Sequence, residues 1–242
     1  MPVSVSEEKI LSVDIGGSKV KATVLDMEGN MLRDYEKTET PVPANPQNVI
    51  KVIAALAEGF KPFTKVSVGF PGYVRDGIVR TAPNLDNESW ENFDLANELS
   101  NVLKQPVRVV NDADLQGLGI ANGKGLEMVV TLGTGFGTAL LLNGTLLPHF
   151  EIAHHPLSKE RDYDQYIGNA ALQDAGLEKW NKRIKKVIAV LKTVYNYDHL
   201  YISGGNARKI DFRLDDNISI GTNLEGIKGG AKLWATGVYK AV

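Results

Sequence analysis

Short apolar runs that end in glycine punctuate this chain, and helical stripes lie between them. Lys9-Ile-Leu-Ser-Val-Asp14 runs into Ile15-Gly16-Gly17-Ser18, and Val20 to Asp26 follows with β-branched and aliphatic residues. Glu28-Gly29-Asn30 reads as a turn and Met31 to Tyr35 as a returning strand. The opening is therefore predicted as strand, glycine turn, strand, glycine turn, strand. Pro41 to Pro46 is a proline-rich connector in which Asn45 can cap the next helix and Pro46 suits its first position. Val49, Ile50, Val52, Ile53 and Leu56 give that helix an apolar face. Lys65 to Phe70 predicts a strand ended by Pro71-Gly72. Asp94 reads as the cap of a helix carrying Leu95, Leu99, Val102 and Leu103. Val107 to Val110 predicts a buried strand ending at Asn111-Asp112, with a helix of small residues after it to Ala121.

A second half begins around residues 112 to 125. Glu127 to Leu132 predicts a strand running into Gly133-Thr134-Gly135-Phe136-Gly137, then Thr138 to Leu142 and the Asn143-Gly144 turn. This repeats the opening, and it reads as an internal duplication of a hairpin unit. Tyr163 to Ala175 and Leu177 to Tyr195 predict helices, Leu200 to Ser203 a short strand ending in Gly204-Gly205, and Glu225 to Tyr239 a terminal helix. Strand–helix alternation through both halves argues an α/β architecture.

Charge and composition narrow the chemistry. The 27 Lys and Arg nearly balance the 29 Asp and Glu, which disfavours a globally basic nucleic-acid binder. There is no cysteine, so disulfides, thiolate–zinc sites, iron–sulfur clusters and cysteine nucleophiles are all excluded. No stretch reaches the roughly 18 apolar residues of a membrane span, and Met1 to Lys9 has no apolar signal core. A cytoplasmic protein, bound to neither membrane nor nucleic acid, is the expectation.

Glycine turns at strand ends can present backbone amides to an anion. No Gly-x-x-x-x-Gly-Lys-Ser/Thr occurs, so a P-loop is excluded. Gly133-x-Gly135-x-Gly137 is followed by Thr-Ala-Leu-Leu-Leu rather than by an amphipathic helix, so a dinucleotide fold is excluded too. Each turn taken alone reads equally as a tight hairpin; two of matching layout, with Gly204-Gly205 after a third strand, favour phosphate binding.

Three segments then become recognisable. Asp14-Ile-Gly-Gly-Ser-Lys-Val-Lys21 resembles the first phosphate motif of the sugar-kinase, hsp70 and actin superfamily. Leu132-Gly-Thr-Gly-Phe-Gly-Thr138 resembles its second phosphate motif, and Ile202-Ser-Gly-Gly-Asn-Ala-Arg208 its adenosine motif. Within that superfamily the chain resembles the ROK sugar kinases, and among them the polyphosphate/ATP glucokinases. Gly69-Phe-Pro-Gly-Tyr-Val74, Thr81-Ala-Pro-Asn-Leu85, Trp90, Asn111-Asp-Ala113, Glu151-Ile-Ala-His-His-Pro156 and Lys179-Trp-Asn-Lys-Arg183 carry that likeness in order along nearly the whole chain.

The resemblance implies an α/β, two-lobed, actin-like ATPase (ribonuclease H-like) fold with a central cleft. Residues 1–112 are expected as the N-terminal lobe and 113–242 as the C-terminal lobe. The reaction implied is phosphorylation of glucose, or a similar hexose, at the 6-hydroxyl from ATP, polyphosphate or both, with Mg2+ beside the donor. Asp112 by position is either a helix cap or a general base, and the resemblance implies the base. Glu151 and His154, three apart, can face one way and bind sugar hydroxyls. They match a Glu-x-Gly-His sugar motif in which Ala153 replaces the glycine. Asn84 and Asn111 suit hydroxyl groups because an amide both donates and accepts. Gly72 lets the backbone approach the sugar or simply makes a turn. Asp14 is expected to position the metal–phosphate, and Lys21 either lies near the donor or is a surface lysine. Gly16, Gly17, Ser18, Gly133, Thr134, Gly135, Gly137, Gly204, Gly205 and Asn206 complete the expected phosphate and nucleotide contacts. His155 is expected to pack.

Many ROK proteins continue with a histidine-plus-cysteine zinc site. With no cysteine, structural zinc is expected to be absent, as in the polyphosphate-type enzymes. Lys179, Lys182, Arg183, Lys185 and Lys186 form a basic stripe that is either a solvated face or a guide for polyphosphate. A homodimer is implied by the resemblance alone. Sugar-responsive ROK repressors carry a helix-turn-helix domain before the first phosphate motif; with only a short segment before Asp14, none is expected here. A non-catalytic sugar-binding protein and a kinase for another hexose stay open as alternatives.

Overall fold

The computed structural model describes residues 8–235. The polar N-terminal segment 1–7 lies outside the described residues. The chain forms two compact units, one of residues up to Leu115 together with the segment from Ile227, the other of Gln116–Gly226.

In chain order the first unit holds β1 (Ile10–Ile15), β2 (Lys19–Leu25), β3 (Glu36–Glu39), α1 (Pro46–Phe60), β4 (Lys65–Phe70), β5 (Val74–Arg75), β6 (Ile78–Val79), α2 (Asn87–Trp90), β7 (Phe93–Asp94), α3 (Leu95–Leu103), β8 (Val107–Asn111) and the start of α4 (Asp112–Ile120). Its main sheet has the order β3-β2-β1-β4-β8. β1 to β3 are antiparallel neighbours, whereas β4 runs parallel to β1 and β8 parallel to β4. β1 is almost wholly buried, which is why it reads as an apolar run rather than an alternation. The Asn45 side chain accepts from the Asn48 N–H, and Val49, Ile50, Ile53, Ala57 and Phe60 of α1 enter the core.

The second unit holds β9 (Leu126–Leu132), β10 (Phe136–Leu142), β11 (Thr145–Leu146), a 3-10 turn at Ile152–His154, α5 (Tyr163–Ile167), α6 (Asn169–Ala175), α7 (Leu177–Tyr195), β12 (His199–Ser203), β13 (Ile218–Ile220) and α8 (Asn223–Ile227). Its sheet has the order β11-β10-β9-β12-β13. The senses repeat those of the first sheet: two antiparallel pairings through β9, β10 and β11, then two parallel pairings through β12 and β13. The likeness of the two hairpins thus extends to both sheets. Among the described residues no helix is long and apolar enough to cross a membrane.

Three elements depart from the expected pattern. The third strand is Glu36–Glu39, not Met31 to Tyr35; Met31 makes only a single bridge to Leu25. Its sequence, Glu36-Lys37-Thr38-Glu39, is polar along its whole length, as suits an exposed sheet edge, so it carries no apolar signal. The helix expected over Tyr163 to Ala175 is broken at Gly168, where an added Cβ would stand 2.6 Å from the Asp164 carbonyl oxygen and 2.9 Å from that of Thr134.

The third departure concerns the end of the chain, expected as a helix over Glu225 to Tyr239 in the second lobe. α8 stops at Ile227, α9 (Gly229–Lys232) belongs with the first unit, and residues beyond 235 lie outside the described ones. Ser12 Oγ donates to the Ile227 carbonyl at 2.8 Å and Ser67 Oγ to that of Gly230 at 2.6 Å, so two hydroxyls buried in β1 and β4 find their partners on this segment. Trp234 Nε1 donates to Ser67 Oγ, and the Arg108 guanidinium lies over the indole at 4.4 Å.

Candidate active site

The first unit gathers one set of chemistry-bearing groups. Asp14 and Lys21 are cross-strand partners in the β1–β2 register, and their side chains meet at 2.9 Å. Burial works to lower the Lys21 pKa, but the Asp14 carboxylate outweighs it, with smaller help from Tyr35 and Asp112, and the value lies above that of an ordinary lysine. Lys21 is therefore a held, half-buried cation within electrostatic reach of Asp112. The turn between β1 and β2 is pinned at both ends: Thr40 Oγ1 donates to the Gly16 carbonyl at 2.6 Å and Thr40 N to that of Ser18 at 3.0 Å. The backbone of Gly17 lies against that of Asn84, since a Cβ there would stand 3.4 Å from the Asn84 carbonyl oxygen. The structure thus brings the first glycine turn beside a residue expected to touch sugar.

Asp112 opens α4 directly from the end of β8, and its Oδ1 accepts from Ala113 N at 2.9 Å. Asn111 is 5% exposed and its amide is engaged inside the protein. Its Oδ1 accepts from Ala113 N at 2.8 Å, and its Nδ2 donates to the Gly72 carbonyl at 3.0 Å. The geometry makes Asn111 a tie between the Pro71-Gly72 turn and α4. Gly72 is glycine for packing: a Cβ would fall 2.0 Å from the Thr81 carbonyl oxygen. Asn84 sits exposed in the turn after Ala82. Trp90 secures that region from below, with Nε1 donating to the Ala44 carbonyl and the ring tilted on Phe70 at 4.7 Å.

The second unit carries the other set. The Gly133–Gly137 turn joins β9 to β10, and three neighbours hold it. Asp164 Oδ1 accepts from Phe136 N at 2.5 Å, Asn169 N donates to the Thr134 carbonyl at 3.1 Å, and Asn206 Nδ2 donates to the Gly133 carbonyl at 3.3 Å. Gly204 has φ +92°, and a Cβ there would meet the Leu132 carbonyl oxygen at 2.4 Å, so the turn after β12 rests directly on the end of β9. Among the described residues nothing lies within 4 Å of where a Cβ would sit on Gly133 or Gly205. Packing among the described residues does not demand glycine at those two positions.

Glu151 immediately precedes the 3-10 turn, which brings His154 Nε2 to 4.0 Å from its Oε2, as the three-residue spacing predicts. Two further partners join them. His149 Nε2 lies 2.8 Å from Glu151 Oε1, and His154 Nδ1 lies 3.6 Å from Asp162 Oδ2. Burial would raise the Glu151 pKa, but the His149 hydrogen bond and charge, aided by His154, hold it below the ordinary value. His155, expected to pack, is exposed.

On α7 the basic stripe divides. Arg183 is buried, with Nη1 donating to the Tyr166 carbonyl at 3.1 Å and its guanidinium 5.0 Å from the Tyr166 ring centre. Lys182 pairs with Glu178 at 2.7 Å, and Lys185 and Lys186 lie over Phe212 and Tyr166.

His149, Asp162 and Asp164 carry no motif in the sequence that marks them as site residues. Asp162-x-x-Gln165 is a capping box and was legible as a helix start, and the structure forms it. Nothing in the sequence showed that Asp164 would turn back to the glycine loop. Burial raises the Asp164 pKa, more than the Phe136 N–H and His154 lower it. The stability linked to this group is therefore complete below the ordinary carboxylate value and is lost as pH rises through the raised one. Asp164→Asn keeps the acceptor and removes the charge, so denaturant unfolding measured across that window should lose less stability than the parent. Parallel losses in the two proteins would contradict the assignment.

The model of the ROK family matches residues 10–156 of this chain. The polyphosphate glucokinase of Mycobacterium tuberculosis is 33% identical over 219 residues, spanning 87% of this chain and 82% of that one. The glucokinase of Streptomyces coelicolor is 34% identical over 154 residues, 59% of this chain and 47% of that one. Among solved structures, the inorganic polyphosphate/ATP-glucomannokinase from Arthrobacter sp. strain KM superposes with a TM-score of 0.84 at 28% identity, covering 93% of this chain and 97% of that one. The ROK family glucokinase from Streptomyces griseus, in complex with glucose and AMPPNP, gives 0.76 at 20% identity over 93% and 98%, a likeness of fold. The fold is that of the actin-like sugar kinases.

Proposed function

Because this chain belongs to the ROK family, we propose that it transfers a terminal phosphoryl group from ATP or polyphosphate to the 6-hydroxyl of glucose or a similar hexose. The observation that carries this reading is the grouping in the first unit of Asp112, at a strand end, with the Asp14–Lys21 pair and the pinned Gly16–Ser18 turn. Asp112 accepts the hydroxyl proton as the sugar oxygen bonds to phosphorus. The bond from phosphorus to the leaving oxygen breaks, and ADP or the shortened polyphosphate carries the charge away. Lys21 offsets phosphate charge, and the glycine turns offer backbone N–H groups to phosphate oxygens. Glu151 and His154 hold sugar hydroxyls, and Asn84 adds an amide.

Among the described residues no three His, Asp or Glu side chains gather as a metal cage. Mg2+ commonly takes only one or two carboxylates, its other ligands being phosphate oxygens and water, and Asp14 is a carboxylate of that kind. Mg2+ would neutralise charge on the donor phosphates.

A panel of glucose, mannose and N-acetylglucosamine against ATP and polyphosphate, read as sugar phosphate formed, tests the proposal. Glucose with at least one donor should give product, and no product in any combination would overturn it. The donors separate on α7. Lys182, Lys185 and Lys186 changed together to Gln should weaken polyphosphate use more than ATP use, with a steeper salt dependence for polyphosphate, because a long polyanion releases more counterions. Arg183 is left out because it packs inside. Equal responses of the two donors would reduce the stripe to a solvated face.

A further inference from the structure

We infer that His149 is the positioning residue for the sugar-side carboxylate: donating from Nε2 to Oε1 of Glu151, it fixes that carboxylate so that Oε2 is presented to a hexose hydroxyl and to His154. The inference rests on the proposed sugar-binding role of Glu151. Four observations build it. Leu147 N donates to the Leu140 carbonyl and Thr138 Oγ1 to that of Phe150, so the segment after β11 follows β10. Burial alternates along it, with Phe150 turned out and His149 and Glu151 sharing the inner side two residues apart. The His149 side chain is 4% exposed and that of Glu151 is 30%. The exposed His154 stands on the opposite oxygen of Glu151.

A carboxylate only accepts, so Nε2 carries the proton of the 2.8 Å bond whether the imidazole is neutral or charged. The carboxylate is thus held from the buried side and open on the other. A freely rotating Glu151 would present either oxygen in many orientations, and a sugar hydroxyl would have to order it on binding. The titratable groups of the elements packed around it are His149 itself, His154 of the 3-10 turn, Asp162 at the cap of α5, and Tyr163, Asp164 and Tyr166 within α5; β10 contributes none. Of these, His149 makes the direct hydrogen bond that keeps Glu151 ionised to lower pH.

The test compares two amides that differ by one methylene. In His149→Gln the side-chain nitrogen reaches the place of Nε2, whereas in His149→Asn it falls short. Hexose KM should rise about tenfold in His149→Asn, with kcat within about twofold, and return to within about threefold of the parent in His149→Gln. The acid limb of kcat/KM for hexose should also move to higher pH in His149→Asn, because Glu151 then takes up its proton earlier as pH falls. Should His149→Asn not fold, His149→Ser, equally unable to reach Oε1, carries the same expectation. Equal losses in the Gln and Asn variants, a change confined to thermal stability, or an unmoved acid limb would overturn the inference. Calorimetric titration of the parent with glucose separates the two levels of failure. A parent that neither binds nor phosphorylates hexose overturns the proposed function and this inference with it, whereas a parent that does, with variants behaving alike, overturns this inference alone.

Discussion

Asp112→Asn is expected to lower turnover by at least about 100-fold while leaving hexose binding largely intact. The substitution is close to isosteric. An Asn carbonyl can still accept from the Ala113 N–H, as Oδ1 does now at 2.9 Å, so the junction of β8 and α4 need not move. What disappears is a group that can take a proton from the attacking hydroxyl. Lys21 also loses a negative neighbour, since Asp112 contributes to its raised pKa, but Asp14 at 2.9 Å remains its main partner. The Lys21 charge should therefore survive, and a drop in turnover would report the lost base. Initial rates at saturating donor, paired with calorimetric titration of the sugar, make the measurement. Turnover near the parent's would remove Asp112 from the mechanism.

Gly72→Ala should carry the second large effect, on sugar affinity and on stability together. The new methyl would meet backbone rather than a side chain that can swing away: the Thr81 carbonyl oxygen at 2.0 Å, its carbon at 2.9 Å and the Ala82 Cα at 3.2 Å. Two ties cross the same place. Tyr73 N donates to Thr81 Oγ1 at 3.1 Å, and Asn111 Nδ2 donates to the Gly72 carbonyl at 3.0 Å. Relieving the clash has to displace the chain that leads to Asn84 or loosen the tie to α4 beside Asp112. Overpacking of this kind costs about 1–3 kcal/mol. A loss of about 1.4 kcal/mol in sugar contact, within that range, corresponds to a roughly tenfold rise in hexose KM. Thermal unfolding and a sugar titration check both halves, and an unchanged melting point with an unchanged KM would contradict the packing argument.

The sequence disclosed the fold best where local chemistry and burial agreed. Asn45-Pro46 starts α1 where cap rules place it, and α7 runs from Leu177 to Tyr195 as its apolar stripe predicts. Both glycine turns were visible because buried central strands read as apolar runs cut short by glycine. The exposed third strand was not, since Glu36–Glu39 owes its place to pairing with β2 rather than to any apolar face. The return of the chain to the first unit was hidden for a related reason. It depends on Ser12 and Ser67, two hydroxyls inside apolar strands whose acceptors lie more than a hundred residues away.

The candidate site divides along the same line. Residues inside motifs, such as Asp14, Lys21, Glu151 and His154, were legible and come together as pairs. Asn111 was legible as a motif residue, but its bonds to the Gly72 carbonyl and the Ala113 N–H were not. His149 and Asp164 were silent because each acts through a contact set by tertiary folding, on Glu151 and on the second glycine turn. Arg183 shows the reverse error, a cation that joins a stripe in sequence and leaves it by packing under Tyr166.

Phosphoryl transfer to a hexose hydroxyl is the claim on which the rest depends. Phosphorus NMR of the purified protein with Mg2+, glucose and either ATP or polyphosphate follows it without coupling enzymes. A glucose-dependent sugar 6-phosphate signal should grow as the donor's terminal phosphate signal falls, and should be nearly absent with Asp112→Asn. Donor loss that is indifferent to sugar, or no sugar phosphate with either donor, would contradict it.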